Sequence, residues 1–212
     1  MKLALIGGGY WGKNLIREFN KTSGLHTICE INDVLIQQYK TDYPHLNITK
    51  QWSEVLLNES ITAVCVALPA EMHYKFAKEA LLANKDVYVE KPITLDVNQA
   101  EELVTLAKTH DKILMVGHLL HYHPAIEKIK EILKSGTLGK IKQIIANRFN
   151  LGIFRTQENV LWSFAPHDIS VILSLCNNKL PDTVYCSGHH SLTENVHDIT
   201  NSCMKYETEN IY

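Results

Sequence analysis

Met1-Lys-Leu-Ala-Leu-Ile-Gly-Gly-Gly-Tyr-Trp-Gly-Lys-Asn-Leu-Ile16 is the stretch that decides how the chain folds. Leu3 to Ile6 is apolar without polar alternation, as in a parallel strand buried on both faces. It runs straight into Gly7, Gly9 and Gly12, spaced G-x-G-x-x-G, and Leu15, Ile16 and Phe19 then recur at helical spacing. Strand, glycine turn and helix in direct succession are the context in which that spacing predicts a dinucleotide site. Gly7 allows a tight turn, Gly9 lets the backbone approach a pyrophosphate, and Gly12 lets the helix lie close to the strand. The N–H groups at the helix start would hold the anion. The alternative is a glycine-rich turn in some other α/β protein.

The rest of the chain alternates strand and helix for a little over half its length. A second strand runs from Leu25 to Glu30, whose carboxylate stands at the tip where both ribose hydroxyls of an adenosine can be bound. It would repel a 2′-phosphate, so NAD is expected rather than NADP; a solvated strand-end glutamate is the other reading. Helices are expected over Asp33–Tyr39 and Trp52–Leu57, and a central strand over Ile61–Leu68. Pro69 precedes a helix in which His73, Phe76, Ala77, Ala80 and Leu81 share a face, so His73 reads as a buried, satisfied histidine rather than a metal ligand. Asp86–Glu90 is the next strand. Asp96 with Gln99 opens another helix, and Ile113–Val116 is a further strand closing at Gly117. This order implies a doubly wound parallel sheet. Thereafter the pattern changes: a helix over Pro124–Ser135, an alternating strand over Lys140–Phe149, a loop over Asn150–Ser163, a helix over His167–Cys176, and strands near Asp182–Cys186 and Ile199–Tyr206. The domains are placed at 1–120 and 121–212.

At 212 residues the chain can bury one large core, or one domain and part of a second. A net charge of −2 without a basic cluster argues against nucleic acid or an anionic membrane as partner. Only four apolar residues follow Met1-Lys2 before glycine, so no signal peptide is expected, and no run is long enough to span a membrane. Cysteines 29, 65, 176, 186 and 203 lack C-x-x-C spacing, and reduced core thiols in a cytoplasmic protein are expected.

Ligands of such sheets bind beyond the carboxyl ends of the strands. The glycine turn, Glu30, Leu68-Pro69, Glu90-Lys91-Pro92 and Gly117-His118 are all such ends. An ammonium at Lys91 could hold a substrate hydroxyl and stabilise alkoxide character as hydride leaves; a plain surface lysine is the alternative. Pro166-His167-Asp168 is placed in the first turn of a helix, whose positive end would keep His167 neutral and able to take a proton. Asp168 reads chiefly as a favourable acid at that helix start. His118-Leu-Leu-His121-Tyr-His123 admits a zinc reading, but no cysteine pair or H-E-x-x-H accompanies it, so no metal is expected and the polar lining of a sugar pocket fits better.

With the glycine turn, Leu68-Pro69 and His73, Glu90-Lys91-Pro92 and the Gly117–Pro124 segment, the sequence resembles the Gfo/Idh/MocA oxidoreductases. These are NAD(P)-dependent sugar and cyclitol dehydrogenases with a Rossmann domain and an α/β domain on a large, predominantly antiparallel open sheet. Within the family, residues 117–124 and 159–170 are most similar to a branch that oxidises the 3-hydroxyl of UDP-N-acetylglucosamine, or a close relative, to a ketone. The resemblance implies Lys91 and His167 as the catalytic pair, with Pro92 following a cis peptide. The expected cofactor surface is Gly7, Gly9, Tyr10, Trp11 and Gly12 from the turn, with Glu30, Leu68, Pro69 and His73. Glu90, Lys91, Pro92 and His118 complete it. His121, Arg155, Trp162, His167 and Asp168 are the expected substrate contacts, with a solvated connector the other reading of the loop bearing Arg155. Two departures stand out: Ser163 occupies a position where many members carry an aspartate four residues before the histidine, and His121 replaces a common arginine. Members usually continue further and bury the open sheet in a homo-oligomer, so a C-terminally truncated chain with an unpaired sheet edge is expected. The alternatives are a dehydrogenase of a free sugar or inositol, and a non-catalytic NAD-binding protein.

Overall fold

The computed structural model describes residues 2–22, 24–150 and 159–207. The chain divides into two compact units, Met1–Gly117 and His118–Tyr212.

In the first unit β1 (Leu3–Ile6), β2 (Leu25–Cys29), β3 (Asn47–Thr49), β4 (Ala63–Val66), β5 (Asp86–Val89) and β6 (Leu114–Val116) form one sheet in the order β3-β2-β1-β4-β5-β6. Every pairing is parallel, with Ala4 between Thr27 and Val64. The order reverses at β1, which creates the crevice where such sheets bind ligands. Between strands run α1 (Gly12–Lys21), α2 (Asp33–Asp42), α3 (Trp52–Leu57), α4 (Ala70–Leu82) and α5 (Val97–Thr109). The uninterrupted apolar character of β1 has its reason here. Ala4 and Ile6 pack into one core with Val64, Val66, Ala77, Leu81 and Leu103. Leu3 and Leu5 pack into a second with Leu15, Ile16, Ile28 and Tyr39. Both faces of the strand are covered, so neither can be polar.

Two helices begin as their side chains dictate: Asn32 caps α2 by accepting from Val34 and Leu35 N–H, and Asp96 caps α5 by accepting from Gln99 N–H. By contrast α1 starts without a side-chain cap and has no acidic residue in its first turn. β3 is an edge strand of three residues that the sequence reading lacked.

The second unit contains a short 3₁₀ turn at Leu119–Tyr122, α6 (Pro124–Lys134), α7 (Val160–Leu175) and an antiparallel ribbon of β7 (Thr183–His189) and β8 (Ile199–Lys205). Two expectations are corrected. The strand read over 140–149 is not formed, and residues 141–150 carry no regular structure. Alternation supplies an apolar face, but a strand also needs a neighbour's N–H and C=O groups, and no described strand pairs with this segment. Ile145 and Phe149 are accordingly 73% and 90% exposed. The second correction concerns α7, which begins at Val160 rather than His167 and passes through Pro166. Asn159 starts it by accepting a hydrogen bond from Trp162 N–H at 3.1 Å. The loop expected up to Ser163 therefore ends four residues earlier, and its residues 151–158 lie outside the described ones.

Cys29, Cys65 and Cys176 are buried, but Cys186 and Cys203 are exposed on the ribbon, so only three of the five are the core thiols expected. No helix among the described residues is long and apolar enough to cross a membrane.

Candidate functional site at the carboxyl edge of the parallel sheet

The glycine turn is fixed by its neighbours at three of its four glycines. Gly7 has φ +92°, and a Cβ there would lie 2.5 Å from the Ala67 carbonyl oxygen. A Cβ at Gly12 would fall 1.9 Å from the Gly7 carbonyl oxygen, which is the close helix–strand approach the spacing predicts. At Gly8 it would strike the Tyr39 ring, whose hydroxyl donates to the Gly8 carbonyl. Gly9 differs, with nothing within 4 Å of the added atom. The fold itself does not require glycine there. Open space above that backbone, beside an uncapped helix start, is what a pyrophosphate needs. The residues present therefore fit a dinucleotide. Tyr10 and Lys13 flank the same opening, with the Lys13 ammonium 5.4 Å from the centre of the Tyr10 ring.

Glu30 is buried, and its carboxylate is already engaged. Oε2 accepts from Gly8 N–H at 2.7 Å, and Oε1 accepts from Ile31 and Asn32 N–H at 2.8 and 2.9 Å. About four lone-pair positions belong to a carboxylate, so three are taken by backbone donors. Its first task is to fasten the glycine turn to the end of β2; ribose hydroxyls would share what remains. Burial, and then the Glu30 charge, push the Tyr39 phenol upward, which keeps it a donor to Gly8.

His73, on α4, is 1% exposed and lies between two carbonyl oxygens. Nδ1 is 2.7 Å from Pro92 O, and Nε2 is 2.7 Å from Leu68 O. The ring is the buried, satisfied histidine expected from the helix face, and it ties the loop after β4 to the one after β5. The Lys91–Pro92 peptide in that second loop is cis, as the resemblance implied.

Glu90 is buried too. Its Oε1 accepts from Trp11 Nε1–H at 2.8 Å and from Tyr88 O–H at 2.9 Å, and its Oε2 accepts from Lys91 N–H at 3.3 Å. A Cβ on Gly117 would approach Glu90 Oε2 to 2.9 Å. Residues from the glycine turn, β5 and the stretch of chain just after β6 thus converge around the backbone that carries Lys91.

The remaining candidates belong to the second unit. His118 and His121 rings meet edge to face at 6.1 Å. Burial, and then Lys130, hold the His121 imidazole below its ordinary range. His123 Nδ1 accepts from Ala125 N–H and so starts α6. Among the described residues no group of three His, Cys, Asp or Glu side chains is arranged to hold a metal. His167 lies in the interior of α7, seven residues after Val160, so the helix-terminus argument for its neutrality does not apply. Ser163, one turn earlier, is buried. Asp168 is not a helix-start acid, since it lies eight residues beyond Val160 in α7. It holds Arg148 through two bonds, Nε to Oδ2 at 2.9 Å and Nη2 to Oδ1 at 2.8 Å. Trp162 is 39% exposed, and Arg155 lies outside the described residues.

Sequence reasoning missed Tyr88, Tyr39 and Arg148. A tyrosine between two valines of a strand (Tyr88), and an arginine within an alternating apolar stretch (Arg148), were the available signals.

Residues 1–118 match the oxidoreductase family with an NAD-binding Rossmann fold, Gfo/Idh/MocA. The chain belongs to this family. Its similarity to the uncharacterized oxidoreductase YrbE of Bacillus subtilis (strain 168) is 24% identity over 191 residues, 87% of this chain and 56% of that protein. It is 34% identical over 93 residues to dTDP-3,4-didehydro-2,6-dideoxy-alpha-D-glucose 3-reductase of Actinomadura kijaniata, covering 44% of this chain and 28% of that enzyme. Among solved structures it resembles GenD2 from gentamicin A biosynthesis, in complex with NAD, with a TM-score of 0.85 over 98% of this chain and 62% of that one. At 17% identity that likeness shows the fold alone. The chain spans little more than half the length of YrbE. As a Gfo/Idh/MocA member it carries an NAD-binding domain at its N-terminus.

Proposed function

We propose that this Gfo/Idh/MocA protein is an NAD-dependent dehydrogenase that oxidises a secondary hydroxyl, the 3-hydroxyl by resemblance, of a nucleotide sugar such as UDP-N-acetylglucosamine. The observation that carries the reading is the placement of Lys91 at the carboxyl end of β5, its main chain bound by the carboxylate that also binds Trp11 of the dinucleotide turn. Bound NAD supplies the hydride acceptor. The chain's own part is to hold the alcohol and move its proton. The Lys91 ammonium donates to the substrate oxygen and stabilises its growing negative charge as the C–H bond is lost. His167 is assigned as acceptor of the hydroxyl proton, by resemblance. A nucleotide sugar is favoured over a free sugar because the Actinomadura relative is named as a 3-reductase of a dTDP-sugar.

The test is NADH formation with UDP-N-acetylglucosamine, a dTDP-hexose, free hexoses and myo-inositol. Lys91→Ala should lower kcat by about 100-fold or more while NAD still binds. Unchanged turnover in that variant refutes the role of Lys91. Turnover of the free sugars alone, undisturbed by added UDP, moves the substrate assignment to the free-sugar alternative.

A further inference from the structure

Glu90 was expected to line the cofactor, yet its surroundings suit a different task. The residue is 8% exposed, and a buried carboxylate is tolerated only when donors surround it. Three do: an indole N–H from the start of α1, a phenol from β5 and a main-chain N–H from the loop after β5. Each is a donor and a carboxylate accepts only, so every contact has the right polarity. The bond to Trp11 joins residues 79 apart in sequence. Trp11 is the residue immediately before α1, within the turn whose open glycine receives the dinucleotide. Gly117 makes room for the arrangement, since a Cβ there would stand 2.6 Å from the Tyr88 hydroxyl and 2.9 Å from Glu90 Oε2.

We propose that Glu90 is a positioning residue, a buried strut that fastens the Trp11 indole to the main chain of Lys91 and so holds the dinucleotide turn and the lysine as one piece. A displacement of the turn is then felt at Lys91, and a displaced Lys91 loosens the turn. The consequence for catalysis rests on the reading of Lys91 given above; the coupling of Trp11 to Glu90 does not.

The experiment uses the full chain, isotopically labelled at nitrogen, in which the indole N–H groups of Trp11, Trp52 and Trp162 report separately and Trp11→Phe assigns the first. In Glu90→Gln the side chain keeps its size but loses its charge and gains a donor arm, so whichever way the amide turns the Trp11 indole loses either its acceptor or the negative charge on it. The Trp11 resonance should move while those of Trp52 and Trp162 stay. NAD titration should show roughly ten-fold weaker binding in Glu90→Gln and in Trp11→Phe, the loss expected of one charge-assisted hydrogen bond. Combined, the two substitutions should weaken binding no more than the worse single one, because both cut the same strut. An unmoved Trp11 resonance, or losses that multiply in the double variant, overturns the proposal. Should Glu90→Gln give an unfolded spectrum, Tyr88→Phe crossed with Trp11→Phe carries the same test, with coupled losses supporting the strut and multiplying losses overturning it. Absence of NAD binding by the unaltered chain would instead sink the dehydrogenase reading, and the resonance test would still decide the strut.

Discussion

An extra methyl group has opposite consequences at two glycines of the same turn. At Gly12 it would press on the Gly7 carbonyl group at 1.9 Å from its oxygen, main chain with no flexible side chain to yield. Gly12→Ala should therefore destabilise the protein by about 3 kcal/mol or more, read from the urea midpoint. At Gly9 it meets open space, and φ is not in the left-handed region. Gly9→Ala should leave stability unchanged or raise it by up to about 1 kcal/mol, through the stiffer unfolded chain. NAD binding, measured by calorimetry, should nevertheless weaken, because the methyl occupies the approach to the backbone. A spacing of glycines in the sequence cannot reveal this division of labour. G-x-G-x-x-G names three positions, while the atoms around each decide which serve the fold and which the ligand. Glu30 carries the same lesson. Its place at the end of β2 was legible, and two of the N–H groups on its carboxylate follow it directly in the chain, but the third, from Gly8, is brought up only by folding.

Among the elements, those buried on two faces were the easiest to read, since their composition reports their environment directly. β1, β4 and α5 owe their legibility to that and to the Asp96 cap. β3 was missed because three residues at a sheet edge leave almost no pattern. The segment 140–149 misled for the converse reason: alternation describes a face, and pairing depends on a partner elsewhere in the chain. α7 was begun too late because Pro166 looks like a helix start, although Asn159 was present as the better cap. Its displacement changes the role of Asp168, which now joins α7 to Arg148 through a bidentate pair with about a third of each side chain exposed. Asp168→Asn should cost about 1 kcal/mol in a denaturant titration, the range of a partly exposed pair of good geometry, and the loss should shrink at high salt.

For the molecule as a whole, two global responses follow. Saturating NAD at about 100 times its Kd should stabilise the folded chain by about 2.7 kcal/mol, seen as a raised melting temperature. Acid should act the other way through His121, whose imidazolium is disfavoured in the folded state by burial and by Lys130. Above its ordinary pKa of about 6.5 the ring is neutral folded or unfolded and contributes nothing to the pH dependence. Below it, the unfolded chain takes up a proton that the folded one resists, so stability falls as pH falls. His121→Asn should flatten the slope of the urea midpoint between about pH 7 and pH 5. The antiparallel ribbon supplies the last consequence. Tyr185 pairs with Cys203, and Cys186 pairs with Ser202, so the two exposed sulfurs project from opposite sides of the strands and cannot bridge one another. Burial, followed by the Glu30 and Glu54 charges, pushes the Cys29 thiol up to about 11, and Cys65 and Cys176 are sheltered as well. An electrophilic dye should thus attach promptly at two places in the native protein and at the other three only after denaturation, giving a pair of labels that look out in contrary directions from a single hairpin.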